Sequence, residues 1–105
     1  MTTATVTAPA AEYVAAYGMK RPSLGDARGA VERIFRTDAA RMWDDLAARA
    51  DAVGAHDEDA AAFDRVLAAM QRSTDDVVQL CARALTIRQS SYRHLAAANA
   101  VVCAH

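Results

Sequence analysis

Apolar residues recur along the chain at steps of three and four, the period of helices buried on one side. The clearest run is Val31, Phe35, Ala39, Met42, Leu46, Ala50 and Val53. It predicts a helix from Asp26, a good N-cap, to about Ala52, with Gly54 as the residue that ends it. Ile34 and Trp43 flank the stripe on opposite sides, widen its apolar face and point to contact with more than one neighbour. A shorter run, Phe63, Val66, Leu67 and Met70, predicts a helix over 59–72. The acidic linker His56-Asp57-Glu58-Asp59 puts negative charge at its N-terminus, where the helix dipole favours it.

The last periodic stretch covers about 75–102, with Val77, Val78, Cys81, Ala84, Leu85, Tyr92, Leu95, Ala96 and Val102 sharing one face. Leu80, Ile87 and Ala98 fall to one side of it. Gln79, Arg83, Thr86, Ser90 and Arg93 point away. Ser73-Thr74-Asp75-Asp76 fits a capping box with Ser73 as the cap. The apolar phase nevertheless runs through it unbroken. An uninterrupted helix over 59–103 would be about 66 Å long, so a break at 72–75 is the preferred reading.

Before these segments lies a short helix over 10–17, opened by Pro9, closed by Gly18 and edged by Tyr13, Val14 and Tyr17. At that length it must dock on something to persist. Lys20 to Gly25 is a connector, with Pro22 and Gly25 as breakers. Gly29, in the first turn of the next helix, allows that short helix close approach. Residues 1–9, rich in threonine, form a flexible N-terminus. The expected architecture is therefore all-α: one helical domain over 10–105, a small bundle of one short helix and three more, two of them long.

Composition changes this picture in one respect. Of 105 residues, 53% are hydrophobic, but alanine supplies 27 of them and Leu, Ile, Val and Phe only 19. A face built of alanine lets helices approach closely, yet each alanine buries little area at roughly 25 cal/mol/Å². Small domains with thin cores gain stability by association. The sequence thus predicts a homodimer in which the second and fourth helices share a core, with Ile34, Trp43 and Ile87 as interface residues.

The net charge is −1, which argues against a general nucleic-acid binder. Its distribution is uneven. Residues 37–76 carry ten acids and four bases, whereas residues 77–105 carry three arginines and no acid. That asymmetry suits antiparallel packing of the second and fourth helices and can bias the orientation of a partner. No apolar run is long enough to span a membrane. The N-terminus lacks a secretory signal, and two cysteines 22 residues apart make no disulfide framework. The expected location is cytoplasmic, with Cys81 and Cys103 as buried free thiols.

Candidate chemistry is sparse. Arg88 and Asn99 interrupt the apolar stripe of the last helix, with the Tyr92 hydroxyl between them. A guanidinium turned toward a core needs a partner, and Asp38 is the carboxylate best placed to supply it. One reading is a polar pocket for a small anionic or hydroxylated ligand, lined by Arg88, Tyr92, Asn99 and Asp38. The plainer reading is a structural ion pair, with Asn99 setting helix register. His94, His105 and Cys103 make no metal site, because Cys103-Ala104-His105 is too terse for a zinc pattern. The adjacent carboxylates, such as Asp44-Asp45, diverge on a helix and form no acid–base dyad. No nucleotide loop, nucleophile elbow or zinc-hydrolase motif is present, so no cofactor is implied and the balance is against an enzyme.

Three functions follow in order. The first is a small cytoplasmic interaction or regulatory protein that acts as a homo-oligomer and takes a protein partner. The second is a small-ligand-binding protein or accessory enzyme using the Arg88 pocket. The third is a DNA-binding regulator using Lys20, Arg21, Arg28, Arg33 and Arg36, disfavoured because Asp75-Asp76 at the start of the last helix would repel phosphate.

Overall fold

The computed structural model describes residues 19–104. The helix expected over 10–17, the N-terminus over 1–9 and His105 lie outside the described residues. Those described are built of helices, with no strand element among them. Helix α1 is Leu24–Phe35, α2 is Ala39–Arg49, α3 is Ala60–Gln71 and α4 is Asp76–Ala104. Packing divides the chain into two units: residues 22–86, and a second that holds residues 87–104.

Helix α1 starts two residues before the expected Asp26. Ser23 is its N-cap, and a complete capping box forms: the Asp26 amide donates to the Ser23 hydroxyl at 3.2 Å, and the Ser23 amide donates to the Asp26 carboxylate at 2.8 Å. Asp26 is thus the third helical residue rather than the cap, and Gly25 belongs to the helix rather than to the connector.

The helix expected to run from Asp26 to Ala52 is interrupted. A 3-10 turn occupies Arg36–Asp38, and Arg36 takes a positive φ of 49°. Thr37 and Asp38 are residues whose side chains compete with helical backbone hydrogen bonds, a stop signal that the apolar spacing outweighs. The spacing conceals the break because the residues on either side of it face one core: Val31 and Ala39 are both buried, although Arg36 between them leaves the helical conformation.

Helix α2 ends in a Schellman motif. The Ala52 amide donates to the Ala47 carbonyl at 2.8 Å and the Asp51 amide to that of Ala48 at 3.2 Å. Asp51 takes the left-handed position with φ 52°. Gly54, the expected terminator, sits in a later turn at φ 76°.

Helix α3 is capped by Asp59, whose carboxylate accepts from the Ala62 amide at 2.9 Å. It turns Phe63, Val66, Leu67 and Met70 into the core, as its pattern predicts. The break over 72–75 is real, but the cap of α4 is Asp75 rather than Ser73. Its carboxylate accepts from the amides of Val77 and Val78 at 2.8 and 3.2 Å. Ser73 folds the preceding turn by accepting from the Asp75 amide at 3.1 Å, and its own carbonyl accepts from the Gln79 side chain.

The core of the 22–86 unit joins Leu24, Ala27 and Val31 of α1, Ala39 and Leu46 of α2, the four large residues of α3, and Val78, Cys81, Ala82 and Leu85 of α4. Phe35, Met42 and Trp43 pack against its edge. Along α4 the buried positions are Val78, Cys81, Ala82, Leu85, Gln89 and Tyr92. This corrects the expected face. Val77, Ala84 and Val102 lie exposed instead of inward, because the small Ala82 and the polar Gln89 take inward positions that a count of bulky apolar groups overlooks.

Candidate functional site

Two features stand out: a cavity beside Trp43 in the 22–86 unit, and exposed apolar residues along one side of α4. The cavity is assembled by the loop between α2 and α3. The Schellman turn redirects the chain at residues 50–52, and the Asp57 carbonyl then accepts from the Leu24 amide at 2.9 Å. That bond lays the loop against the start of α1. Gly25 eases the approach: a Cβ there would stand 3.0 Å from the Asp57 carboxylate, which would have to give by a few tenths of an ångström.

Asp57 is thereby set opposite Arg28, one turn into α1. One guanidinium nitrogen of Arg28 donates to both carboxylate oxygens, at 2.9 and 3.1 Å. The same guanidinium stands 6.0 Å from the centroid of the Trp43 ring, at the outer reach of a cation–π contact. Both partners of the ion pair keep about two-fifths of their side chains in solvent, 39% and 44%. The pair therefore contributes about 0–1 kcal/mol, and its consequence is positional: it holds Arg28 against the indole.

The resulting cavity is about 360 Å³. Buried Leu24, Ala47 and Ala52 form its floor, Trp43 and Arg28 its walls, and exposed Asp44 its rim. Its polar side chains are those of Arg28 and Asp44. Asp57 neutralises the first, which leaves Asp44 as the uncompensated charge; it has no ion pair among the described residues. The cavity suits an apolar side chain laid on the indole with a cation beside it.

The second surface follows from helix geometry. At about 100° per residue, Val78, Ala82, Leu85, Gln89 and Tyr92 define one side of α4. Val77, Leu80, Ala84 and Ile87 lie about 140° round from it. Leu80 and Ile87 are 61% and 60% exposed, and Val77 is 40%. Arg83 and Arg88 border this stripe on either side.

The predicted pocket residues fall elsewhere. Arg88 is exposed on α4 instead of turned inward; the neighbouring inward position is that of Gln89. Tyr92 is buried. Asn99 is half-buried, and its side-chain oxygen lies 3.8 Å from the Cys103 sulfur. Asp38 is exposed in the 3-10 turn, with its carboxylate 3.8 Å from Arg41. Of the predicted interface residues, Ile34 is 49% exposed, Ile87 is exposed on the stripe, and Trp43 is half-buried at the cavity.

No protein-family model, curated protein or solved structure matches the chain.

Arg28 and Asp57 acquire their role only in the fold. In sequence Arg28 reads as one of several basic residues, and Asp57 as a charge favouring the next helix. The one local signal is Gly25, a glycine kept inside a first helical turn. The cysteines also differ from expectation: Cys81 is buried and free, Cys103 exposed. Burial pushes the Cys81 thiol pKa up, Arg33 draws it partly back and Asp75 adds to the rise. Among the described residues no cluster of His, Cys, Asp and Glu could hold a metal ion, and no helix is long and apolar enough to cross a membrane.

Proposed function

We propose that this chain is a non-catalytic, cytoplasmic interaction protein that acts as a homodimer. The reading is carried by one observation: α4 exposes Val77, Leu80 and Ile87 on the side away from its buried face. A helix with apolar residues on both sides is satisfied by covering both. The alanine-rich core supports the reading too, because it leaves the unit dependent on further burial.

A polar ligand pocket around Arg88 has less in its favour. Arg88 is exposed, and neither it nor Tyr92, Asn99 or Asp38 lines the cavity beside Trp43. A nucleic-acid face has less again, since Arg28, in the proposed basic cluster, is tied to Asp57.

Light scattering over a micromolar concentration series tests the reading. The wild type is expected at the dimer mass, and Leu80→Glu at the monomer mass with its circular dichroism unchanged. A wild type that stays monomeric throughout, with a melt independent of concentration, overturns it.

A further inference from the structure

We infer that the Trp43 cavity is a binding site for a small aliphatic ammonium, a short hydrocarbon chain ending in a cationic nitrogen. The inference stands apart from the association proposed above, because every lining residue belongs to the 22–86 unit and none is on α4. Size and lining come first. A volume of about 360 Å³ lies at the lower end of the range of sites that take small molecules, which combine a mainly apolar wall with a few polar groups. Here Leu24, Ala47, Ala52, Val53 and Ala55 supply aliphatic surface for methylene groups, and Trp43 supplies an aromatic wall.

Charge then selects the head group. The charged lining residues are Arg28 and Asp44. Arg28 is matched by Asp57, with nitrogen–oxygen distances of 2.9 and 3.1 Å. Asp44 is exposed and has no ion pair among the described residues. The arginines nearest to it along α2 are engaged elsewhere: Arg41 stands 3.8 Å from Asp38, and Arg49 3.1 Å from Asp45. Arg28, Asp57 and Asp44 together leave a single negative charge beside an indole ring. Arg28 engages that ring only at 6.0 Å, the outer reach of a cation–π contact. The carboxylate and the ring both favour a cation. An anion would gain Arg28 only by displacing Asp57, and would still face both carboxylates.

The test titrates n-pentylammonium into the full chain, with 1-pentanol and hexanoate as neutral and anionic probes of similar length. Trp43 is the single tryptophan, and its emission should shift to the blue as hydrocarbon replaces water on the ring. The amide NMR shifts of Gly54 and Ala55 should saturate at the same concentration. Binding is expected in the millimolar range, as befits probes this small, and in the order pentylammonium, pentanol, hexanoate. The gap between the first two should close as salt rises. Asp44→Asn, at an exposed position, is expected to weaken pentylammonium about fivefold, the upper end for an exposed pair, and to leave pentanol unchanged. Asp44→Lys should invert the order, placing hexanoate ahead of pentylammonium.

Three results would overturn the inference. In one, pentylammonium saturates neither signal. In another, hexanoate binds the wild type as tightly as pentylammonium does, which would make Arg28 the recognising group. In the third, Asp44→Asn leaves the ratio of ammonium to alcohol affinity unchanged. None of these bears on the mass measured by light scattering, so the site and the association fail separately.

Discussion

Helices α3 and α4 use the same kinds of residue to different ends. In α3, 12 residues long, every large apolar side chain is buried: Phe63, Val66, Leu67 and Met70. Its solvent side is also engaged in the fold. Arg65 reaches back to the end of α2 and donates to the carbonyls of Ala50 and Asp51 at 2.8 and 2.9 Å. Helix α4, 29 residues long, gives Val78, Cys81, Ala82 and Leu85 to the same core. It then leaves Val77, Leu80, Ile87, Val101 and Val102 exposed. The short helix is explained by its own unit. The long one carries apolar side chains, Val77 and Leu80, that the 22–86 unit leaves uncovered, and these are what the proposed association would bury.

The contrast breaks most directly at Phe63 and Leu80. Phe63→Ala empties a fully buried position shared by the core helices and is expected to cost about 3–5 kcal/mol. For a domain whose whole stability is about 5–15 kcal/mol, that removes much of the margin. Leu80→Ala is expected to leave monomer stability within about 0.5 kcal/mol while weakening association. Urea unfolding at a concentration below the dimer range measures both, read as a midpoint shift at constant slope. Equal losses at the two positions would mean that α4 is covered within its own chain.

A smaller effect is expected on the solvent side of α3. Arg65→Met keeps the aliphatic stem and deletes two charge-assisted hydrogen bonds to carbonyls at the end of α2, where the helix dipole favours a cation. Because Arg65 is largely exposed, water replaces part of what is lost. The expected cost is about 1 kcal/mol, seen as a lower urea midpoint and as faster amide exchange over residues 46–52. Arg83→Met on α4 is the matched control and should leave monomer stability unchanged.

How far each helix was legible in sequence follows the same division. For α3, cap, apolar phase and termination agree, and its limits fall within a residue of those expected: Asp59 caps it and Arg72 follows it. For α4 the apolar residues lie on two sides, so their average direction points to neither. That displaced the expected face by about one residue, turning Arg88 inward and overlooking Gln89. The interruption at Arg36–Asp38 was hidden because Val31 before it and Ala39 after it serve the same core, so the apolar spacing continues across it. The Trp43 cavity was hidden for another reason: it needs Asp57 beside Arg28, 29 residues apart in sequence, and no periodicity carries that. Alanine content, by contrast, is a property of the sequence itself, and it supports the proposed association that the exposed residues of α4 carry.

The smallest expected effect concerns the two cysteines of α4, which report on its covered and uncovered parts. Cys103 is exposed and should react promptly with a thiol reagent at mildly alkaline pH. Cys81 is buried and should react only as fast as the chain opens; Cys103→Ser isolates its signal. The raised Cys81 pKa also has a thermodynamic sign. In the unfolded chain a cysteine ionises around about pH 8.5. In the folded chain desolvation keeps the Cys81 thiol protonated to higher pH. The unfolded state thus loses its proton first, and the thiol's contribution is complete below that range and lost as pH rises through it. The slope from one group stays below about 1.4 kcal/mol per pH unit. The quantity to measure is the difference between wild type and Cys81→Ala, followed by urea unfolding across the alkaline range. The wild type should lose stability more steeply with pH than the variant. Parallel pH profiles, together with prompt labelling of Cys81, would mean that the inner face of α4 opens readily to water, and the contrast with α3 would then lie in mobility rather than in surplus apolar surface.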